Sequence, residues 1–381
     1  MSESLDVIVI GAGIAGSSCA LQLARQGHRT LLLDRQSFPR HKTCGEFMSP
    51  ETKEMLEYLN IQLQEVKPST MDHAQIIMPQ GGQIEAPLPG PAYGISRHEL
   101  DRILHKQAEA AGVEIITKAT IVGIQLLEDD HYEVQVKQGD ERVSYRTKAV
   151  IGAYGTKKPR GMTSPPEIRD ETVYVGIKSH YSGLVMPARV ELYFCEGGYV
   201  GISPIENGYA NVAALLTLDT VQGSGKSVTD ILNAASETNG RLAARLADGE
   251  PVPGTQVSIA PLHLSNVPEP WSQFPHIGDA MLMIPPLCGD GMSIALRSSI
   301  LCAEWTNRYL QEDIGFAEWQ EGYTKDASDE FTELLRRARR IQKLAFAKTN
   351  KYYPALARLF PGLATYLVKA TRLSEMNAAR G

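Results

Sequence analysis

Three stretches of this chain combine residue types at spacings that could do chemistry. Near the start stands Gly11-Ala12-Gly13-Ile14-Ala15-Gly16, followed at a distance by the acid Asp34. Next comes Phe38-Pro39-Arg40-His41-Lys42-Thr43-Cys44-Gly45-Glu46, a loop with no helical or strand period that places one thiol among cations. Far along the chain lie Gly278-Asp279-Ala280 and Pro285-Pro286-Leu287-Cys288-Gly289-Asp290-Gly291-Met292. In the first stretch each glycine has a mechanical reason. Gly11 permits a tight turn, Gly13 lets backbone approach a diphosphate, and Gly16 lets a helix pack closely on a strand. A helix opening there offers unpaired N–H groups and positive potential to phosphate.

The elements that must position this turn are readable on either side of it. Asp6–Ile10 is a short β-branched apolar run, as in a strand buried on both faces. A helical pattern runs from Ser17 to Arg25 and stops at Gly27, and a second buried strand, Arg29–Leu33, ends in Asp34. A carboxylate at a strand tip accepts hydrogen bonds from ribose hydroxyls and disfavours a 2′-phosphate. Strand, turn, helix, strand and acid in this order imply FAD or NAD rather than NADP. An NAD dehydrogenase would continue with further parallel βαβ units, whereas this chain turns into the Phe38–Glu46 loop.

At that loop the sequence resembles the para-hydroxybenzoate hydroxylase-like flavoproteins and, within them, the geranylgeranyl reductase family, through its Phe-Pro-Arg-x-Lys-x-Cys-Gly-Glu run. Two further matches follow in order, and the resemblance covers most of residues 5–310. Arg97-His98-Glu99-Leu100-Asp101 looks like the family's Arg-x-x-Leu-Asp helix start, and Gly278-Asp279-Ala280 with Gly289, Gly291 and Met292 looks like its second FAD motif. The resemblance implies an α/β fold: a Rossmann-type FAD-binding domain, an inserted antiparallel-sheet substrate domain and a helical C-terminal segment. It implies a cofactor site of Gly11, Gly13, Ala15, Gly16, Asp34, Arg40, Gly45, Arg97, Ile121, Asp279, Gly289, Gly291 and Met292. In it Arg97 reaches FAD, the strand near Ile121 passes the adenine, and Asp279 meets the ribityl chain. A helix from Ser293 to about Tyr309 would aim its N-terminus at the flavin and stabilise negative charge on the reduced ring. The FAD-binding part is expected over 1–73, 93–171 and 263–320, the substrate part over 74–92 and 172–262, and the helical segment over 321–381.

The inserted sheet is visible in the pattern. Residues 74–88 read as a hairpin around Gly81-Gly82, and strands are expected over Thr172–His180, Ala188–Cys195, Tyr199–Ile202 and Ala210–Leu216. In the resembling family this sheet roofs the flavin, and the Cys matching Cys44 lies beside the ring. A thiol there could give a proton to a carbon whose neighbour receives hydride; the alternative is a small residue packing a turn. Two departures bear on the reaction. The family's Tyr-x-Trp-x-Phe-Pro signature reads Tyr199-Val200-Gly201-Ile202-Ser203-Pro204, which keeps Tyr199 and Pro204 as substrate-side candidates and removes two aromatics. The Asp-Gly pair of flavin hydroxylases is replaced by Tyr154-Gly155, and the Trp-x-Trp-x-Ile-Pro pattern of flavin halogenases is absent. The expectation is an FAD-dependent oxidoreductase reducing a C=C bond of a hydrophobic, prenyl- or polyketide-like molecule. A monooxygenase using O2 and a non-catalytic flavoprotein partner stand as alternatives. The electron donor, NAD(P)H or a ferredoxin, is left open.

Composition sets outer bounds. The chain has 381 residues, five cysteines without a CxxC pair and a formal net charge of −6. This argues against a zinc site or disulfide framework and for a reducing compartment. No apolar run reaches the ~20 residues of a spanning helix, the start is acidic rather than signal-like, and nothing interleaves aromatics with base-reading side chains. A cytoplasmic location without nucleic acid is expected. From Phe331 onward, Lys and Arg far outnumber Asp and Glu. Apolar Phe331, Leu334, Leu335, Ala338, Ile341 and Ala345 oppose Arg336, Arg337, Arg339, Arg340 and Lys343, a basic amphipathic helix. Either it docks on the domain with a solvated basic face, or it contacts anionic lipid peripherally.

Overall fold

A computed structural model describes residues 5–63, 65–159, 162, 172–265, 267–347 and 349–374. The apolar run at the start forms β1 (Leu5–Ile10), which leads through the glycine turn into α1 (Ile14–Arg25) and β2 (Thr30–Leu33), parallel to β1. The helix opens at Ile14, three residues before the expected Ser17, because Gly13 already serves as its N-cap. The chain then leaves this sheet for β3 (Phe47–Met48), α2 (Thr52–Tyr58), β4 (Ser69–Ile77) and β5 (Gln83–Gly94). It returns with α3 (Arg97–Ala110), β6 (Glu114–Ile116), and the strands β7 (Ala119–Leu126), β8 (Tyr132–Gln138) and β9 (Glu141–Gly152). The first sheet has the order β6-β2-β1-β9-β8-β7, its first four strands parallel and its last two joined antiparallel.

The second sheet has nine strands and takes its members from two distant parts of the chain. To β3, β4 and β5 it adds β10 (Tyr174–Ser182), β11 (Arg189–Cys195), β12 (Gly198–Pro204) and β13 (Ala210–Thr217). After the short helices α4 (Leu218–Val221), α5 (Val228–Glu237) and α6 (Gly240–Leu246) come β14 (Glu250–Pro251) and β15 (Val257–Leu262). The sheet is not wholly antiparallel as expected: β4 and β11 pair parallel, from Arg189 opposite His73 to Tyr193 opposite Ile77. This pairing joins the two insertions into one roof. The Gly81-Gly82 hairpin is present, with both strands longer than read, because the Pro-interrupted run Gln83–Gly94 stays extended despite its weak period.

Helices α7 (Gly291–Leu310) and α8 (Phe316–Ala345) pack with α1 and α3 into the main apolar core around Leu21, Leu104, Leu301, Trp319 and Phe331. Short helices α9 (Tyr353–Leu359) and α10 (Pro361–Ala370) follow. The basic helix read from Phe331 is the second half of α8. Its apolar residues Phe331, Leu334, Leu335 and Ala338 are spent on the core, leaving Arg336, Arg337, Arg340 and Lys343 exposed. These four side chains are therefore not available to a lipid surface. Among the described residues, no helix is long and apolar enough to cross a membrane.

Candidate functional site: a dinucleotide cradle and a thiol loop

The glycine turn is as tight as its sequence requires. A Cβ on Gly16 would lie 1.8 Å from the Gly11 carbonyl oxygen, and one on Gly11 would lie 2.2 Å from that of Ala153. No side chain caps the first turn of α1 and no acid stands in it, so its N–H groups face outward without partners of their own. Over this opening hang two cations. The Lys42 Nζ lies 3.1 Å, and an Arg97 guanidinium nitrogen 3.6 Å, from where a Cβ on Gly13 would stand. Burial, with repulsion from Arg97, pushes the Lys42 ammonium down to about 8. Arg97 is clamped by Asp101 one turn along α3, through contacts of 2.9–3.1 Å. Burial opposes its charge, but Asp101, Cys44 and Asp279 outweigh that and hold the guanidinium above its ordinary value.

Asp34 sits at the tip of β2, accepting from the Ala12 amide at 2.9 Å and the Gln36 amide at 2.8 Å. Arg40 reaches its carboxylate at 3.4 Å and covers the Phe38 ring. Beside it opens a cavity of about 630 Å³ lined by Arg35, Arg40, His41, His98 and Lys118, a size usual for small-molecule sites. Asp279 occupies a one-turn 3-10 helix whose Gly278 backs onto Ala15 of α1. Burial raises its carboxyl, while Lys42 and Arg97 pull it back. The glycine turn, the Lys42 loop, Arg97 and Asp279 thus converge, although they are spread from residue 11 to residue 279. Gly45, Pro286 and Gly291 are exposed among largely buried neighbours, as the wall of a cleft would be. Gly289 lies against the Phe47 ring, and Met292 is buried in the first turn of α7. Ile121 is different: its side chain is buried in the core behind β7, so only its backbone could meet an adenine.

Cys44 lies on the loop between this cradle and the roof. Its carbonyl accepts from the Asn211 amide at 3.0 Å, and the Gly45 carbonyl accepts from Ser203 Oγ at 2.9 Å. Burial pushes the Cys44 thiol up, against the opposing pull of Arg97, so at neutral pH it is a thiol rather than a thiolate. Tyr199, Gly201 and Ser203 alternate along β12, and the Ser203 bond shows that their face is the one turned to this loop. The sequence departures at Gly201 and Ser203 therefore fall on the site itself. Pro204 falls on the opposite face, and its carbonyl closes on Gly94, so it is not brought to the cleft. Burial raises the Tyr199 hydroxyl, and its electrostatic neighbours are Cys288 and Cys44. Tyr199 belongs to an apolar cluster with Phe194, Leu215 and Leu262, joined by the half-buried Met283, Leu287 and Phe346.

A group that sequence reasoning did not single out braces this loop. Glu46 and Lys178 form a fully buried ion pair at 2.9 Å, and Glu46 also takes His180 Nε2 at 2.6 Å and the Arg97 amide at 2.9 Å. These partners hold Glu46 in the left-handed region at φ 51°, unfavourable for a residue with a Cβ. Its own amide donates to Cys44 Sγ at 3.4 Å. The pair continues outward through His41, 3.2 Å from Lys178 Nζ, and His98, which stacks on His41 at the cavity. Burial, with Lys178 and His180 nearby, pushes His41 down to about 4 and keeps it neutral. The signal was available: Lys178 and His180 share one face of the buried strand Tyr174–Ser182. At the start of α7, Arg372 from beyond α10 binds the N-cap carboxylate Asp290 and the Cys288 carbonyl.

The residues fit FAD. The uncapped helix start, the cations over Gly13 and the carboxylate at the strand tip match a diphosphate and a ribose. The buried Asn211 Oδ1, beside the thiol loop, has no donor among the described residues and can take one from a ligand. This combination defines a flavoprotein of the oxidoreductase class. The sequence pattern of the FAD binding domain family matches residues 4–303, and the chain belongs to that family. It is 26% identical over 327 residues to the menaquinone reductase of Mycobacterium tuberculosis (strain ATCC 25618 / H37Rv), covering 80% of this chain and 77% of that protein. It is 27% identical over 370 residues to digeranylgeranylglycerophospholipid reductase 2 of Methanopyrus kandleri, covering 92% and 89%. Among solved structures, a geranylgeranyl bacteriochlorophyll reductase-like protein from Thermoplasma acidophilum superposes with TM-score 0.76 at 20% identity over 97% of this chain and 99% of that one. The flavin-dependent brominase Bmp2 does so with TM-score 0.78 at 17% identity over 97% and 93%. The chain is an FAD-dependent oxidoreductase, and the resemblance drawn from the Cys44 loop is met by these relatives.

Proposed function

We propose that this enzyme reduces a C=C bond of a hydrophobic, prenyl-like molecule. The observation that carries the reading is the Cys44 thiol, held protonated where the cofactor cradle meets the apolar cluster around Tyr199. When bound, FAD supplies the hydride chemistry; the protein's own residues do the rest. The first-turn amides of α1, Lys42 and Arg97 hold the diphosphate, and Asp34 takes the ribose. Gly289, Gly291 and Met292 open α7 toward the redox end. Glu46, clamped by Lys178 and His180, fixes the loop so that Cys44 Sγ keeps its proton at a set position. Tyr199, Phe194, Met283 and Leu287 exclude water from the reacting bond. In this reading the cofactor part comprises residues 1–73, 93–171 and 263–320, and the roof residues 74–92 and 172–262. Similarity to proteins named menaquinone reductase and digeranylgeranylglycerophospholipid reductase supports a prenylated substrate.

The test is a single turnover without oxygen. Protein reduced by dithionite is mixed anaerobically with a detergent-dispersed prenyl quinone, and flavin absorbance near about 450 nm is followed. Reoxidation, with a product that keeps two extra hydrogens on its prenyl chain after the quinone ring has been reoxidised in air, and a marked slowing in Cys44→Ala, is expected. Reoxidation that requires O2 and adds an oxygen atom to the product would instead identify a monooxygenase.

A further inference from the structure

Helix α10, Pro-Gly-Leu-Ala-Thr-Tyr-Leu-Val-Lys-Ala, is apolar nearly all round. Such a helix is normally enclosed, either in a core or in a membrane. Here one side lies against β5, while Leu363, Tyr366 and Leu367, at i, i+3 and i+4, face outward. From the adjoining α9 come Leu356 and Leu359, with Tyr352 before them and Phe360 after. Leu359 is 75% exposed, Tyr366 67% and Phe360 60%, so these are side chains in solvent rather than core residues with an open edge. Single exposed apolar residues are ordinary; seven within sixteen positions on two consecutive helices form a patch that needs a partner.

The charge around the patch says which partner. From Leu334 to Ser374 the sequence contains no Asp or Glu, although the chain as a whole is acidic. Lys351, Arg358 and Lys369 border the patch and are exposed, and among the described residues none is paired with a carboxylate. A second copy docking through a twofold would set these cations against themselves. The patch is also continuous with the substrate side. Pro354 of α9 packs on Gly82 at the hairpin tip, Tyr353 joins the cluster that contains Tyr199, and the Phe346 ring lies 6.3 Å from the Tyr199 ring.

We propose that α9 and α10 form a docking face for an anionic lipid bilayer. Leu359, Phe360, Leu363, Tyr366 and Leu367 enter the acyl boundary, and Lys351, Arg358 and Lys369 meet the head groups. A substrate dissolved in the bilayer then passes along apolar surface from Tyr353 and Phe346 to Tyr199; this delivery role rests on the reductase reading above. The face differs from the basic half of α8, whose Phe331, Leu334, Leu335 and Ala338 are buried.

The experiment is flotation of the FAD-loaded full chain with vesicles of phosphatidylcholine, with and without phosphatidylglycerol. Binding is expected with phosphatidylglycerol and at low salt. A Leu359→Glu/Phe360→Glu/Tyr366→Glu variant loses it, and Lys351→Glu/Arg358→Glu/Lys369→Glu weakens it by about a hundredfold or more, both with wild-type flavin absorbance and melting temperature. No flotation in either lipid, or flotation that both variants retain, overturns the proposal. So does light scattering that shows a dimer split by the first variant, which would make the occupant a second copy. The detergent assay separates the two readings. If the first variant keeps wild-type turnover on detergent-dispersed quinone and loses it on vesicle-embedded quinone, docking and delivery both stand. If vesicles bind but no quinone is reduced in detergent, the reductase reading alone falls.

Discussion

Replacing Lys178 by methionine tests the brace beneath the thiol loop. Methionine keeps most of the side-chain volume and removes the charge, which leaves the Glu46 carboxylate at 0% exposure with only His180 and the Arg97 amide. Removing one partner of a buried ion pair costs about 3–5 kcal/mol, because the other charge stays desolvated. For a chain of 381 residues, unfolding entropy at about 2.1 cal/mol/K per residue comes to ~0.8 kcal/mol/K, so the melting temperature should fall by roughly 4–6 °C. The pH dependence has a definite sign. Burial pushes the Glu46 carboxyl up, but His180 and Lys178 outweigh it and hold the group below its ordinary value. Its contribution is present above the usual carboxylate range and lost as pH falls through the folded value. Without Lys178 the carboxyl rises, so the gap between wild type and variant should narrow toward pH of about 4. Differential scanning calorimetry of the FAD-loaded proteins at two pH values reads both effects. Lys178→Met/Glu46→Gln should recover part of the loss, since it leaves no buried carboxylate. A shift of under about 1 °C in Lys178→Met, or a double variant whose loss equals the sum of the single ones, refutes the reasoning.

Two further outcomes follow from the site's charges. Lys42 is pushed down to about 8, and a diphosphate favours its protonated form, so FAD affinity should weaken above that pH, by up to about tenfold per unit; fluorescence titration of Lys42→Met should show weaker binding without the pH step. Asp290 is raised to about 8 by burial, against the pull of Arg372. Its contribution to stability is therefore full below its ordinary value and lost as pH rises toward about 8. Melting curves at pH 5 and pH 8 should show a flatter dependence in Asp290→Asn, which keeps the side-chain size and cannot titrate, and an unchanged slope would contradict the assignment.

How much of this was legible in the sequence depended on whether the signal was local. The βαβ unit could be read because glycine spacing, strand runs and the terminal acid lie within one short segment and each has a steric or electrostatic cause. The Cys44 loop and Asp279 were reachable only through the family pattern, since neither carries a period. Lys42 stood inside the quoted run, but its place over Gly13 depends on how the loop folds back across α1. The Glu46–Lys178 pair joins residues about 130 positions apart, and no window of sequence contains both. The second half of α8 shows the opposite failure. Its amphipathic pattern was read correctly as a pattern, but periodicity cannot say whether the apolar stripe meets a core or a membrane. At α9 and α10 the decisive fact is exposure, which only the packing reveals.

The stitching of the roof from two insertions has a consequence for synthesis. Strand β4 of the hairpin emerges from the ribosome more than one hundred residues before β11, its lateral partner. At translation rates of about 5–20 residues per second, β4 shows an unsatisfied edge for on the order of ten seconds. The hairpin's other strand is protected by its own prolines, Pro87, Pro89 and Pro91, which lack the N–H that a foreign strand would pair with. The hairpin is therefore open to mispairing along β4, at His73–Ile77, until Arg189–Tyr193 arrive to close it.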